Sequence, residues 1–181
     1  MAGSQTALPA QRRQHAEGDG YQAVRLPYKG DAAEMLVVLP EEGRFEEIEG
    51  RLDADFLDEV GAKINPDAYV RLTMPRFDYE TRLDLLPLLR SMGMTIPFDG
   101  GEADFSGITR EAPLFIGDAV HKANITVDEK GTEAAAATAL GFPVSGPPPL
   151  KEMTANRPFL FAITERETGT ILFLGRVTDP S

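Results

Sequence analysis

Cysteine is absent from the 181-residue sequence, and histidine occurs only twice. Without cysteine the chain can form no disulfide, has no thiolate nucleophile and offers no cysteine ligand for zinc or an iron–sulfur cluster. Any imidazole chemistry is restricted to His15 and His121. The acidic residues lack the alternating spacing of a calcium loop, and no Gly-rich phosphate-binding loop is present, so we expect neither a bound metal nor a cofactor.

Long hydrophobic runs are also missing. No run approaches the roughly 18 apolar residues that a membrane-spanning helix needs, and the first twenty residues lack the apolar centre of a signal peptide. Positive charge is scarce as well, since 18 Lys and Arg stand against 29 Asp and Glu, for a formal net charge of −11. Such a surface repels phosphate backbones and anionic lipid, so nucleic-acid and membrane partners are not expected.

What remains is an ordinary globular composition, with 42% hydrophobic and 26% charged residues. This length and composition suffice for one domain with a sizeable core. Residues 1–17 are polar and show no periodicity, which predicts a disordered lead-in before a single domain at residues 18–181.

Hydrophobic periodicity predicts an α+β fold dominated by antiparallel sheet. Alternation or short apolar runs indicate strands, and apolar residues at helical spacing among acids indicate helices. The long alternating segment 114–128 is interpreted as a strand, and the closing hairpin is apolar enough to be buried on both faces. The predicted hairpins are residues 21–27 with 35–39 and 159–164 with 171–177; a further strand is 70–77; the helices are 46–52, 56–64 and one that follows Asp84 and ends at Gly93.

The residues available for catalysis are few. His15 lies in the predicted lead-in, and His121 lies in an alternating strand, where a structural, hydrogen-bonded histidine is the expected role. Ser145 lacks the Gly-x-Ser-x-Gly turn that exposes a nucleophile. An enzyme would need a catalytic pair that the sequence does not offer, so we expect this protein not to be an enzyme.

A run of small residues stands out instead. Glu129 is followed by Gly131, Thr132, four alanines at 134–137 and Thr138. On the residues alone this run is compatible with a turn of polyalanine helix or with a flexible linker. In the sequence, a long predicted strand precedes this run. A Pro- and Gly-rich stretch at 141–149, predicted to be exposed, follows it, and two closing strands come after that stretch.

Several ordered motifs in residues 18–180 resemble the serpins. The run from Glu129 to Ala139 resembles the serpin hinge, and the segment around His121 resembles the strand before it. Asn156-Arg157-Pro158-Phe159 resembles the start of the closing strands, in which Asn156, Pro158 and Phe159 would be structural. Further matches are residues 72–77, 105–108 and 173–177.

This resemblance implies the C-terminal half of a serpin fold with an exposed reactive loop at about residues 129–150. It further implies a serine-type endopeptidase inhibitor that acts as a suicide substrate, with a loop that inserts into a sheet after cleavage. The hinge would comprise Glu129, Gly131, Thr132, Ala134, Ala135, Ala136, Ala137 and Thr138.

Family spacing places the scissile bond at Ser145–Gly146, and Val144 and Phe142 are alternative recognition residues. These side chains favour an elastase- or chymotrypsin-like serine protease as the target. By the same resemblance the protein would be extracellular, although this chain carries no signal peptide.

A complete serpin is about twice this length, so a missing N-terminal half is a possible partner. The alternative function is a truncated, non-inhibitory fragment or binding module that presents the same loop.

Overall fold

A computed structural model of the protein describes residues 5–8, 10–127 and 149–180. Within these ranges it contains ten strands, three α-helices and one 3₁₀ helix, which confirms the α+β class. The strands are β1 Gln5–Ala7, β2 Gln11–Gly18, β3 Tyr21–Pro27, β4 Ala33–Pro40, β5 Asn65–Pro75, β6 Phe77–Asp84, β7 Val120–Val127, β8 Leu150–Thr154, β9 Phe159–Glu165 and β10 Ile171–Val177. The helices are α1 Phe45–Gly50, α2 Ala54–Lys63, α3 Leu86–Ser91 and the 3₁₀ helix Ile96–Phe98.

The chain divides into two compact units, residues 1–77 with 127–181 and residues 78–126. The first unit is built on an eight-stranded sheet in the order β1, β5, β2, β3, β4, β9, β10, and β8 also pairs with β5. Every pairing is antiparallel except that of β5 with β8, which is parallel. Tight turns make the antiparallel neighbours possible; Gly20 joins β2 to β3 with φ of 79°, a conformation that glycine adopts at little cost.

One face of this sheet packs against α1 and α2. Asp53 starts α2 by accepting a hydrogen bond from the Phe56 backbone N–H at 2.8 Å. The Tyr21 and Phe56 rings meet edge to face, with centroids 5.2 Å apart. Each fully buried apolar side chain contributes about 1.5–3 kcal/mol, so this layer is a main source of stability. The buried cluster consists of Ala16, Tyr21, Ala23, Leu36, Val38, Ile48, Phe56, Val60 and Leu160.

The opposite face forms a second buried layer, because successive strand residues point to opposite sides. Val24 and Val37 are fully buried there, next to Ala23 and Leu36 of the first layer. The Phe77 ring packs against both Phe159 and Phe161, with centroids 5.9 and 5.7 Å apart. The central strand β4 is therefore buried on both faces, which explains its nearly continuous apolar sequence.

The second unit contains a two-stranded sheet of β6 and β7, α3 and the 3₁₀ helix. Asp84 Oδ1 accepts a hydrogen bond from the Leu86 backbone N–H at 3.0 Å, but the N-cap residue of α3 is Leu85, which makes no side-chain cap hydrogen bond. Gly93 follows α3 with φ of 94°. None of the α3 side chains is buried in the described structure, and Leu88 and Met92 are exposed.

Three expectations from the sequence are wrong. Residues 5–7 and 11–17, expected to be disordered, form β1 and most of β2, because their backbone groups pair with β5 and β3. Residues 114–119 are irregular, so the expected strand at 114–128 is ordered as a strand only from Val120 to Val127.

The third concerns the closing hairpin. It forms as expected, but only β9 is buried. β10 is the terminal strand of the sheet path and exposes Ile171, Leu172 and Phe173.

Candidate reactive-loop segment and its flanking strands

The candidate reactive loop lies between β7 and β8 in the chain. Residues 128–148 lie outside the described part of the structure. This range contains every predicted hinge residue, Glu129, Gly131, Thr132, Ala134, Ala135, Ala136, Ala137 and Thr138, and every scissile-bond candidate, Phe142, Val144, Ser145 and Gly146. The structure therefore defines the strand that leads into the segment and the strand that leads out of it.

β7 leads into the segment with alternating exposure. Ala123, Ile125 and Val127 are partly buried, whereas His121 and the other residues of the strand are exposed. Thr126 Oγ1 donates a hydrogen bond to Asp78 Oδ1 of β6 at 3.3 Å. The sequence predicted a hydrogen-bonded structural role for His121; the residue is exposed on β7, and that role stays a prediction.

β8 leads out of the segment and is held firmly. It pairs in parallel with β5 from Tyr69 opposite Leu150 to Thr73 opposite Thr154. The Ala155 backbone N–H donates to the Thr73 carbonyl at 2.8 Å, and Met153 is 1% exposed. The C-terminal end of the candidate loop is therefore anchored by a strand ladder and a buried side chain.

Two ion pairs add to this anchor. Arg71 of β5 contacts Glu152 at 2.7 Å, and Lys151 Nζ contacts both carboxylate oxygens of Glu17 at 3.0 and 3.1 Å. All four side chains are partly or largely exposed, so each pair contributes modestly, typically 0–1 kcal/mol. Neither pair was predicted from the sequence, since Lys151 and Glu17 are separated by 134 positions.

His15 lies two residues from Glu17 on β2. It is 3% exposed, and its Nε2 has no hydrogen-bond partner among the described residues. Burial lowers the pKa of His15 from its ordinary value of 6.5; the charge of Glu17 opposes this shift, and that of Lys151 reinforces it. His15 is therefore a buried histidine of β2 with a lowered pKa, in a segment where the sequence suggested disorder.

The segment 156–159 turns the chain from β8 into β9. Asn156 is exposed, and its backbone N–H donates to the Thr154 carbonyl at 2.9 Å. Arg157 Nε donates to the Pro40 carbonyl at 2.7 Å. Pro158 is half-buried and Phe159 is fully buried. Arg157 was not singled out by sequence, because its backbone acceptor lies 117 positions away.

The described residues offer little for metal binding or membrane insertion. Within them, no three His, Cys, Asp or Glu side chains lie close enough together to hold a metal ion. None of the helices found in this part of the chain has the length and hydrophobicity required to span a bilayer.

Comparison with known proteins identifies the family. The model of the serpin family, described as serine protease inhibitors, matches residues 6–180. The chain belongs to the serpin family. This confirms the resemblance drawn from the hinge-like run and the motifs at residues 72–77, 105–108 and 173–177.

Individual relatives agree with this assignment. An uncharacterised serpin-like protein of Thermococcus kodakarensis is 43% identical over 167 residues, which cover 91% of this chain and 38% of that protein. Human serpin B3 is 41% identical over 160 residues, covering 87% and 41% of the two chains. The chain thus spans about two fifths of the length of these curated relatives.

Solved structures share the fold. Thyroxine-binding globulin, in its complex with thyroxine, aligns with a TM-score of 0.77 at 30% identity over 96% of this chain and 45% of that one. The thermophilic serpin tengpin in its native state aligns with a TM-score of 0.74 at 28% identity, covering 97% and 45%. Serpins are generally protease inhibitors rather than catalysts, and many are extracellular.

Proposed function

We propose that this chain carries the reactive-loop portion of a serpin that inhibits serine endopeptidases as a suicide substrate. Family membership is the observation that carries this proposal, because it gives a defined role to the segment between β7 and β8. The hinge would be formed by Glu129, Gly131, Thr132, Ala134–Ala137 and Thr138.

The proposed chemistry starts as ordinary proteolysis. The serine Oγ of the protease attacks the carbonyl carbon of the scissile bond, the C–N bond breaks, and the new amine leaves with a proton. The loop then remains esterified to the protease. Loop insertion by serpins is a well-established case of strand addition, and here it would move the acyl-enzyme away from the geometry needed for hydrolysis.

The composition of the hinge supports insertion. A strand of about a dozen residues adds a similar number of backbone hydrogen bonds, each contributing about 0.5–1.5 kcal/mol net. Alternate residues of an inserted strand face the interior, where small side chains avoid overpacking. Thr132, Ala134, Ala136 and Thr138 would occupy these interior positions, and Glu133 would remain in water.

The scissile bond is proposed to be Ser145–Gly146, with Val144 and Phe142 as alternative recognition residues. Residues 142–146, which contain all of these candidates, include no Lys or Arg. Small and medium apolar side chains suit elastase- or chymotrypsin-like enzymes, which are therefore the proposed targets. Secretion is proposed from the family.

Incubation of the purified chain with elastase and with chymotrypsin tests the proposal. Denaturing gel electrophoresis should reveal a covalent adduct with the mass of the protease plus the cleaved chain, and mass spectrometry of the released peptide identifies the bond. A protease whose serine is already blocked serves as the control. Cleavage of the loop without any adduct at all protease ratios would contradict inhibition by this chain.

A second candidate is a non-inhibitory serpin segment or binding module. It is favoured by the extent of the match, since the chain spans only 38–45% of the aligned relatives. The part of the relatives that does not align with this chain would then be the partner required for insertion. Loop cleavage without an adduct from the chain alone, together with an adduct after mixing with that half from a relative, would support this candidate.

A further inference from the structure

Aspartate is followed by glycine twice in the sequence, at Asp19–Gly20 and at Asp99–Gly100. In this dipeptide the glycine nitrogen can attack the side-chain carboxyl carbon of the aspartate, because glycine has no side chain that hinders the approach. The reaction requires a backbone that can turn toward the carboxyl group. A site that the fold holds in place should therefore react more slowly than a site that the fold leaves free.

Asp19–Gly20 is the tight turn between β2 and β3 and is held on both sides. Its flanking residues, Gly18 and Tyr21, are paired across the hairpin. Arg44 Nη1 donates to Asp19 Oδ1 at 2.9 Å, and the guanidinium occupies the space that a side chain on Gly20 would need. The hydrogen bond from Arg44 also lowers the pKa of Asp19, so less of this carboxyl group is in the neutral, more electrophilic form. Ring closure here would break these contacts.

Asp99–Gly100 is much less constrained. The pair follows the 3₁₀ helix Ile96–Phe98, and residues 99–102 are all exposed. Residues 99–119 form no helix or strand in the described structure, so no strand pairing flanks the pair as it does in the β2–β3 turn. The next residue is Gly101, and two consecutive glycines leave this part of the backbone free to rotate.

The Asp99 carboxyl group is also turned toward the nitrogen that would attack it. Its Oδ1 accepts a hydrogen bond from the Gly101 backbone N–H at 2.7 Å. To reach that N–H, the side chain folds along the backbone past the Gly100 nitrogen. Among the described residues, no backbone carbonyl accepts a hydrogen bond from the Gly100 N–H. The nitrogen is therefore not held away from the carboxyl group by such a bond.

We propose that Asp99–Gly100 is a site of spontaneous isoaspartate formation in the folded protein, and that the fold protects Asp19–Gly20 from the same modification. The Gly100 nitrogen bonds to the side-chain carboxyl carbon of Asp99, and the hydroxyl group of the neutral carboxyl leaves with the amide proton as water. The product is a succinimide ring. Water then adds to one ring carbonyl and breaks its C–N bond. Opening at the former main-chain carbonyl gives isoaspartate, which has the same mass as aspartate.

Isoaspartate at residue 99 would add one carbon to the main chain where the 3₁₀ helix ends. The Asp99 carbonyl accepts hydrogen bonds from the Glu102 and Ala103 backbone N–H groups at 3.2 and 2.8 Å, and the added carbon would move it away from both donors. The modification also creates a free α-carboxylate, which is the group that isoaspartyl carboxyl methyltransferases modify with S-adenosylmethionine. The partner implied for this site is an enzyme of that class. The site does not depend on protease inhibition.

Prolonged incubation of the whole purified chain at neutral pH and physiological temperature tests the site. Trypsin separates the two sites, since one lies in the peptide of residues 14–25 and the other in that of residues 91–110. Liquid chromatography resolves the aspartyl and isoaspartyl forms, and fragmentation in the mass spectrometer locates the residue. We expect isoaspartate at residue 99 to exceed that at residue 19 at least several-fold. In the chain unfolded in guanidinium chloride the two rates should converge.

Asp99→Glu should abolish the isoaspartate in the peptide of residues 91–110, because the larger ring that glutamate would form closes far more slowly. The matched control is Asp104→Glu in the same peptide, which should leave the rate at residue 99 unchanged. Arg44→Gln removes the side chain that holds Asp19 and should raise the rate at residue 19 at least several-fold.

Three results would overturn the proposal. The first is conversion at residue 19 equal to or greater than that at residue 99 in the folded chain. The second is isoaspartate in the peptide of residues 91–110 that persists in Asp99→Glu. The third is a preference for residue 99 that stays the same after unfolding, which would assign it to the local sequence instead of the fold.

Discussion

Gly175 of β10 lies directly against the ring of Phe161 in β9, so closely that a Cβ on residue 175 would be 2.4 Å from the ring Cζ and 2.7 Å from Cε1. The two residues are register partners in the β9–β10 pairing. Phe161 is 5% exposed and also packs against Phe77 at 5.7 Å between ring centroids. Because residue 175 has no side chain, the Phe161 ring can occupy this position in the core.

We predict that Gly175→Ala reduces the free energy of unfolding by about 1–3 kcal/mol, because the added methyl group displaces a packed ring. Urea denaturation followed by circular dichroism measures this change. Gly50→Ala is the matched control, since a Cβ there has no neighbour within 4 Å. Equal stability of both variants would show that the ring moves aside without cost.

The helical layer allows a second stability test. Ile48 of α1 is fully buried in the cluster with Tyr21 and Phe56. Ile48→Ala should cost about 2–5 kcal/mol, since it removes buried methyl groups and leaves a cavity. Ile108→Ala, at a position that is 76% exposed, should change the free energy of unfolding by less than about 0.5 kcal/mol. If Ile48→Ala and Ile108→Ala lowered the free energy of unfolding by similar amounts, Ile48 would not be part of a packed core.

Sequence patterns predicted those parts of the fold in which the buried residues are apolar and the exposed residues are polar. β4 was recognised from its apolar run and α2 from its amphipathic spacing, and both form as expected. β2 was missed because Arg13 and His15 are buried although polar. β10 was expected to be buried because its sequence is apolar; its terminal position in the sheet, which no local pattern reveals, leaves it exposed.

The candidate site was predicted only as an order of segments along the chain. The strand before the loop and the two closing strands follow from periodicity and from the serpin motifs. The anchor of β8 could not be inferred in this way, because it depends on β5 and on the Lys151–Glu17 pair, which joins distant parts of the chain.

The stability of the protein should depend on pH through His15. Burial lowers its pKa in the folded state below the ordinary 6.5. As the pH falls through 6.5, the unfolded state therefore takes up a proton before the folded state does, and the free energy of unfolding decreases. The stabilisation is complete above the unfolded pKa and is lost between the unfolded and the folded pKa.

We predict that His15→Gln flattens the decrease in stability between neutral and mildly acidic pH relative to the parent protein. Urea midpoints measured across this range provide the test. His121→Gln is the matched control, because His121 is exposed and the sequence has no third histidine. If the pH dependence persisted in His15→Gln and disappeared in His121→Gln, the assignment to His15 would be wrong.

The hinge provides the test most specific to the proposed inhibition. In an inserted strand Ala136 would face the interior, whereas its neighbour Ala135 would face water. Ala136→Glu would place a charge in a crowded, apolar position, where burial of an unpaired carboxylate costs several kcal/mol. We therefore expect slower insertion, so that the acyl-enzyme is hydrolysed and the chain behaves as a substrate.

The measurement is a titration of the protease with each variant, which gives the number of inhibitor molecules consumed for each enzyme molecule inactivated. This number should rise at least several-fold for Ala136→Glu and remain near the parent value for Ala135→Glu. Both variants carry the same new charge one residue apart, so a general effect on protease recognition would alter both. Unchanged inhibition by Ala136→Glu would contradict the interior position of Ala136 and with it the proposed direction of insertion.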